Sequence, residues 1–167
     1  MTQGGVDASI EECLQAERTG YEPPLFVDVN WDQVEEGAEL PTIVMPITVT
    51  RCVFMASASR DFAPQHHNRD FARQQAGAPD MFLGTHFNIG MLSRFLTDWA
   101  GPSSRVRRIK LSMRRTICAG EDMIIKGRVS RRYDDEGVRK VDVDIEVSTQ
   151  NGLAYRAVGT VVLATPE

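Results

Sequence analysis

Ser59-Arg60-Asp61-Phe62-Ala63-Pro64-Gln65-His66-His67-Asn68 puts a carboxylate and an imidazole five residues apart, with a proline between them. Two of the chain's three histidines stand here side by side. Pro64 fixes a turn, so Asp61 and His66 can face one point. A carboxylate and a neutral imidazole aimed at one water can position it and exchange a proton with it near neutral pH. A surface loop with a solvated aspartate and two solvated histidines has the same spacing. His67 follows His66 directly, and neighbouring side chains of an extended segment point oppositely, so one of the two faces any site. No third ligand completes a metal set at a recognisable spacing, and no metal or other cofactor is expected. His86 reads as a core or interface histidine.

Gly84 precedes the most apolar helical stretch of the chain. Main-chain N–H groups at a helix start are unpaired and carry the positive end of the helix dipole. A glycine there lets a carbonyl approach closely, which would make an oxyanion hole. Arg105, Arg107 and Arg108, with Arg114 and Arg115, are either a phosphate-binding group or part of a solvated sheet face.

These residues need elements to hold them. Residues 1–27 form an N-terminal extension, with a possible short helix from Ser9 to about Arg18 stopped near Gly20 and Glu22-Pro23-Pro24. Trp31 to Gly37 reads as a single turn. Thr42–Thr48 is a short strand that Pro46 confines to an edge or bulge. Residues 49–59 have near-helical spacing and lead into the Asp61 segment. Asn68–Gln75 reads as a short helix capped by Asn68. From His86 to Trp99, Phe87, Met91, Phe95 and Leu96 share one stripe, with Leu92 and Trp99 beside it. Gly101-Pro102 ends this helix.

From Arg105 the apolar period changes to two. Strands are expected at about 105–117, around Gly127, through Val141–Val147, and over Leu153–Ala164. Asp134-Asp135-Glu136-Gly137 and Asn151-Gly152 are hairpin compositions, Asn-Gly the stronger. Alternation means one buried face, and helix 86–99 is the cover available. The expectation is α+β: an antiparallel sheet wrapped around one helix, in a single domain over 28–167.

The chain has 167 residues, 42% of them hydrophobic, and a net charge of −4. That balance argues against a nucleic-acid or anionic-membrane binder. Cys13, Cys52 and Cys118 form no CxxC and read as reduced thiols. There is no signal-peptide pattern and no apolar run near the roughly 18 residues of a membrane span. A cytoplasmic protein is expected.

The run Phe54, Ser57, Ser59, Asp61, Pro64, His66 resembles the hydratase motif of MaoC-like enzymes, the (R)-specific enoyl-CoA hydratases, whose signature is Ser-Gly-Asp-x-Asn-Pro-x-His. Arg60 stands where that family prefers glycine, and Ala63 where it prefers asparagine. Gly84, 18 residues after His66, matches the family's glycine before the central helix. Trp31-x-x-Val34-x-x-Gly37-x-x-Leu40-Pro41 resembles the usual entry of the domain. Thr97-Asp98-Trp99-Ala100-Gly101-Pro102 and the His66-His67 pair resemble actinobacterial MaoC-like subunits acting on steroid side-chain acyl-CoA esters. The resemblance covers about residues 28–165. It implies a hot-dog fold and reversible hydration of a trans-2-enoyl-CoA to the 3-hydroxyacyl-CoA. Asp61 and His66 would be catalytic, Gly84 the oxyanion hole, and Arg105, Arg107 and Arg108 the group meeting the coenzyme's phosphates. It also implies a homodimer, or a heteromer with another MaoC-like subunit. A non-catalytic hot-dog subunit and an acyl-CoA thioesterase are the alternatives.

Overall fold

In the computed structural model, residues 27–164 are described; the expected helix at Ser9–Arg18 and most of the N-terminal extension lie outside them, as does Cys13. A 3₁₀ turn at Trp31–Gln33 opens the described chain, and strand β1 follows at Ile43–Pro46. Helix α1 spans Val49–Ser59, a 3₁₀ turn Pro64–His66, α2 Arg69–Gln74 and α3 Thr85–Ala100. The strands β2 (Arg105–Met113), β3 (Asp122–Asp135), β4 (Val138–Thr149) and β5 (Gly152–Val162) complete the fold. All five strands form one antiparallel sheet in the order β1-β3-β4-β5-β2. Pro46 lies on an edge strand, where its missing N–H costs no ladder bond. The Asn68 side chain caps α2, accepting from the Phe71 N–H at 3.0 Å.

The alternating residues of β3, β4 and β5 bury Met123, Ile125, Val129, Val141, Val143, Ile145, Val147, Tyr155, Ala157 and Val161 against α3. From α3 come Met91, Leu92, Phe95 and Leu96, all nearly inaccessible. Two glycines let the helix sink into the sheet. A Cβ on Gly127 would stand 2.6 Å from the Phe95 ring, and one on Gly159 would stand 2.5 Å from Leu96. Around Phe95 and Leu96 the layer under α3 is therefore closed by the chain's own side chains.

The Asn-Gly hairpin differs from expectation in detail. Thr149 pairs with Gly152, so Gln150 and Asn151 make the turn, Gly152 follows at φ 100°, and the register shifts between Val147 and Ser148, which leaves Ala154 unpaired in the ladder. At the β3–β4 turn, Glu136 and Gly137 both have positive φ, the geometry of a two-residue I′ hairpin. No helix among the described residues is long and apolar enough to cross a membrane.

Candidate active site

Three short elements bring the carboxylate and the imidazole together. Helix α1 ends at Ser59, and Arg60 closes it in the left-handed conformation (φ 55°, ψ 25°), its N–H donating to the Ser57 carbonyl. The glycine preference at this position is thus a backbone preference. The Arg60 side chain is exposed. The chain then turns at Asp61, whose Oδ1 accepts from the Ala63 N–H at 3.4 Å. Pro64 starts the 3₁₀ turn that presents His66 inward while His67 stays exposed.

Nε2 of His66 lies 3.4 Å from Oδ2 of Asp61. The His66 side chain is only 5% exposed, whereas that of Asp61 is 30% exposed and open to solvent. Nδ1 of His66 is 2.7 Å from the Phe82 carbonyl oxygen. A carbonyl only accepts, so Nδ1 carries a proton, and in a neutral ring the Nε2 lone pair would face Asp61. Two acceptors this close need a proton between them, or a water that donates to both. The Phe82 ring meets the imidazole edge-on at 5.2 Å and holds its plane.

Phe82 is itself fixed from both sides. Asp80 takes hydrogen bonds from Arg69 (3.0 Å), Arg73 (3.4 Å) and the Met81 N–H (2.8 Å), tying α2 to the loop before it. Burial alone would raise the Asp80 pKa, but the Met81 N–H and the two arginines hold the carboxyl below its usual value. Beyond Phe82, the Leu83 N–H donates to the Ile117 carbonyl at 3.0 Å.

Gly84 is the N-cap of α3 and has no side-chain cap, so among the described residues the first-turn N–H groups are unclaimed by any side chain. A Cβ at Gly84 would stand 3.4 Å from Oδ2 of Asp61, 3.6 Å from Nε2 of His66 and 3.3 Å from Sδ of Met55. The helix start, the carboxylate and the imidazole therefore share one small space, walled by Met55. A molecule there would meet a proton acceptor, a proton carrier and a positive dipole end together.

Of the two readings of His86, core or interface, the structure removes the core one. The His86 side chain is 75% exposed, with Nδ1 4.0 Å from Oδ2 of Asp61. Position two of the helix explains this: it lies a turn before the buried stripe takes over. Sequence reasoning also missed Phe82, because its contribution is a main-chain oxygen that any residue type supplies. Arg105, Arg107 and Arg108 are exposed and are not brought to the pair. They occupy the opposite end of β2 from Met113, whose Sδ is 3.8 Å from Thr85 Oγ1. Arg108 is about 16 Å along the strand from Met113. Groups of three or more potential metal-ligating side chains are absent among the described residues.

A sheet wrapped around one helix, with an Asp–His pair against that helix's glycine cap, defines a hot-dog domain of the hydratase type. No profile of a known protein family matches the sequence. Individual relatives do. The 3-oxo-4,17-pregnadiene-20-carboxyl-CoA hydratase beta subunit of Mycobacterium tuberculosis is 33% identical over 128 residues, 77% of this chain and 94% of the relative. The crystal structure of the ChsH1–ChsH2 complex from the same organism contains a chain with TM-score 0.73 and 29% identity, covering 79% of this chain and 100% of that one. The unliganded R-hydratase PhaJ1 from Pseudomonas aeruginosa shares the fold (TM-score 0.73, 16% identity, covering 83% of this chain and 88% of that one). The chain belongs to the MaoC-like hydratase family, and its likeness runs to the steroid side-chain type.

Proposed function

We propose that this chain carries the active site of an (R)-specific enoyl-CoA hydratase that adds water to a trans-2-enoyl-CoA and yields the 3-hydroxyacyl-CoA. One observation carries the reading: the 3.4 Å approach of Asp61 to a His66 whose tautomer is set by the Phe82 carbonyl, against the bare start of α3. A water bonded to both Oδ2 and Nε2 from the side facing Gly84 is oriented over C3 of the enoyl group. One of the pair takes its proton as the oxygen adds to C3, and C2 receives a proton from the same pair. Enolate charge developing on the thioester oxygen is met by the Gly84 cap and the first turn of α3. Arg105, Arg107 and Arg108 reach the coenzyme only at its phosphate end, given their distance along β2. The relative's name points to an acyl group of the steroid side-chain class, and the closed layer around Phe95 and Leu96 agrees: a bulky acyl group has to lie outside that part of this chain's own core.

Asp61→Asn and His66→Ala should each lower turnover by at least about 10²-fold, the usual worth of a positioned acid–base group, with the fold unchanged by circular dichroism. The assay is a panel of enoyl-CoA esters followed at the enoyl-thioester absorbance, with a thiol reagent alongside. Wild-type rates in both variants sink the assignment. Thiol release from a saturated acyl-CoA marks a thioesterase, and silence in both channels a non-catalytic subunit.

Assembly with a different hot-dog chain is favoured over a homodimer by one feature. Of the two edge strands, β1 and β2, the longer is β2, whose exposed Arg105, Arg107, Arg108 and Lys110 are all cationic and which bears no acid. An edge strand of another subunit carrying carboxylates would complement it.

A further inference from the structure

Asn88 and Tyr155 are both 0% exposed. Neither the Asn88 amide oxygen and nitrogen nor the Tyr155 hydroxyl has a hydrogen-bond partner among the described residues. Buried polar groups in native cores are satisfied as a rule, so three such atoms require an explanation.

The two residues face the same place. Met113 sits directly opposite Tyr155 in the β2–β5 ladder, and Met113 Sδ lies 3.8 Å from Thr85 Oγ1 in the first turn of α3. Asn88 is one turn further along that helix, on the stripe shared with Leu92 and Phe95. A second anchor gives the same answer. Leu96 packs on Gly159. Eight residues back along α3 from Leu96 is Asn88, about 12 Å away at the helical rise. Four residues back along β5 from Gly159 is Tyr155, about 13 Å away at the strand rise. Helix and strand run the same way, so Asn88 and Tyr155 stand at the same level of the layer between α3 and the sheet.

We propose that Asn88 and Tyr155 together hold one buried water molecule beneath the first turns of α3, and through it position the turn that begins at Gly84. Both groups are neutral, which gives an ion no hold. Each can donate and accept, which suits a single water bonded to both. The Asn88 N–H already donates to the Gly84 carbonyl at 3.3 Å, and helical side chains lean toward the N-terminus. Tying Asn88 to β5 therefore fixes the turn whose start abuts Asp61 and His66.

The positioning half of this proposal rests on the hydratase reading; the water site does not, and it is tested without substrate. A crystal structure with ordered solvent should show a water within about 3.2 Å of both side chains, lost in Tyr155→Phe. In solution, the Asn88 carboxamide protons should show a nuclear Overhauser effect to water in the wild type and not in Tyr155→Phe. A direct Asn88–Tyr155 hydrogen bond, or dry packing around both, overturns the proposal. Thermal midpoints of Asn88→Leu, Tyr155→Phe and the double variant give a second reading: a shared water predicts a double loss smaller than the sum of the singles, and strict additivity counts against it. If Asn88→Leu does not fold, Tyr155→Phe removes one oxygen and carries the solvent readouts alone. With enoyl-CoA, Tyr155→Phe should lower kcat between about tenfold and 10²-fold at nearly constant KM. An unchanged kcat with the water lost removes the positioning role, and a wild type without hydratase activity is a failure of the earlier reading, not of the water site.

Discussion

Gly84 and Arg60 show how differently two backbone positions behave. Gly84 has φ −71°, which any residue adopts, so its absent side chain matters for space. In Gly84→Ala the methyl would sit 3.4 Å from Oδ2 of Asp61, in the volume where a thioester must lie. The variant should keep its melting temperature and lose turnover on the order of 10²-fold, comparable to disabling an oxyanion donor; equal kcat in the two proteins would refute the role. Arg60 is the reverse case. Its side chain is exposed, but φ 55° strains any residue with a Cβ. Arg60→Gly should raise stability by about 1 kcal/mol in urea denaturation, with activity kept. Asp61, His66 and Gly84 were legible because their chemistry resides in residue type and spacing. The Phe82 carbonyl was not, since a main-chain oxygen leaves no trace in composition. The core half of the His86 reading failed because periodicity assigns a face to a helix more securely than to its first turn.

Packing between elements rests on the two sheet glycines and on one buried carboxylate. In Gly127→Ala the new Cβ meets the stiff Phe95 ring at 2.6 Å and Val143 at 3.2 Å. A cost of about 1–3 kcal/mol is expected, as for other overpacked cores. Adding Phe95→Leu should restore part of it, and a double-mutant cycle measures the coupling. Glu121 joins the β2–β3 connection to the β4–β5 turn. It accepts from Arg115 (3.0 Å), Asn151 (2.6 Å) and the Cys118 N–H (2.8 Å). Burial opposes its charge, but the bonds from Asn151, Cys118 and Arg115 outweigh burial and hold its pKa below the ordinary 4.5. A folded pKa below the unfolded one contributes stability in full above about pH 4.5, lost as pH falls through the folded value. Glu121→Gln should cost about 2 kcal/mol at pH 7 and flatten the acid limb of the stability curve. An identical pH dependence in the two proteins would show the carboxylate to be idle. Helices and strands were readable from period, because burial imposes it. The Glu121 cluster was not, since it joins the β2–β3 connection to the β4–β5 turn, which only the folded chain brings together.

The assembled chain leaves a cationic sheet edge and, beside the site, exposed Phe54 (69%) and Phe62 (65%). Apolar surface at the mouth of a site favours a covering partner, and the β2 edge restricts which one. Every exposed side chain between Arg105 and Lys110 is basic, so antiparallel pairing of β2 with a second copy sets cation against cation. That repulsion depends on ionic strength. The screening length is about 30 Å at 0.01 M salt and 3 Å at 1 M. Self-association through β2 should therefore be weak in dilute buffer and strengthen with added salt, as measured by sedimentation equilibrium of the purified chain. Pairing with an acidic edge should follow the opposite course and weaken as salt rises. A dimer of this chain that tightens on dilution of salt would mean the copies meet through a complementary surface elsewhere, and the argument for an acidic-edged partner would fail. Nothing in the spacing of these arginines marked them as an edge. That property comes from the order of strands, which places β2 last in the sheet although it is second in the chain.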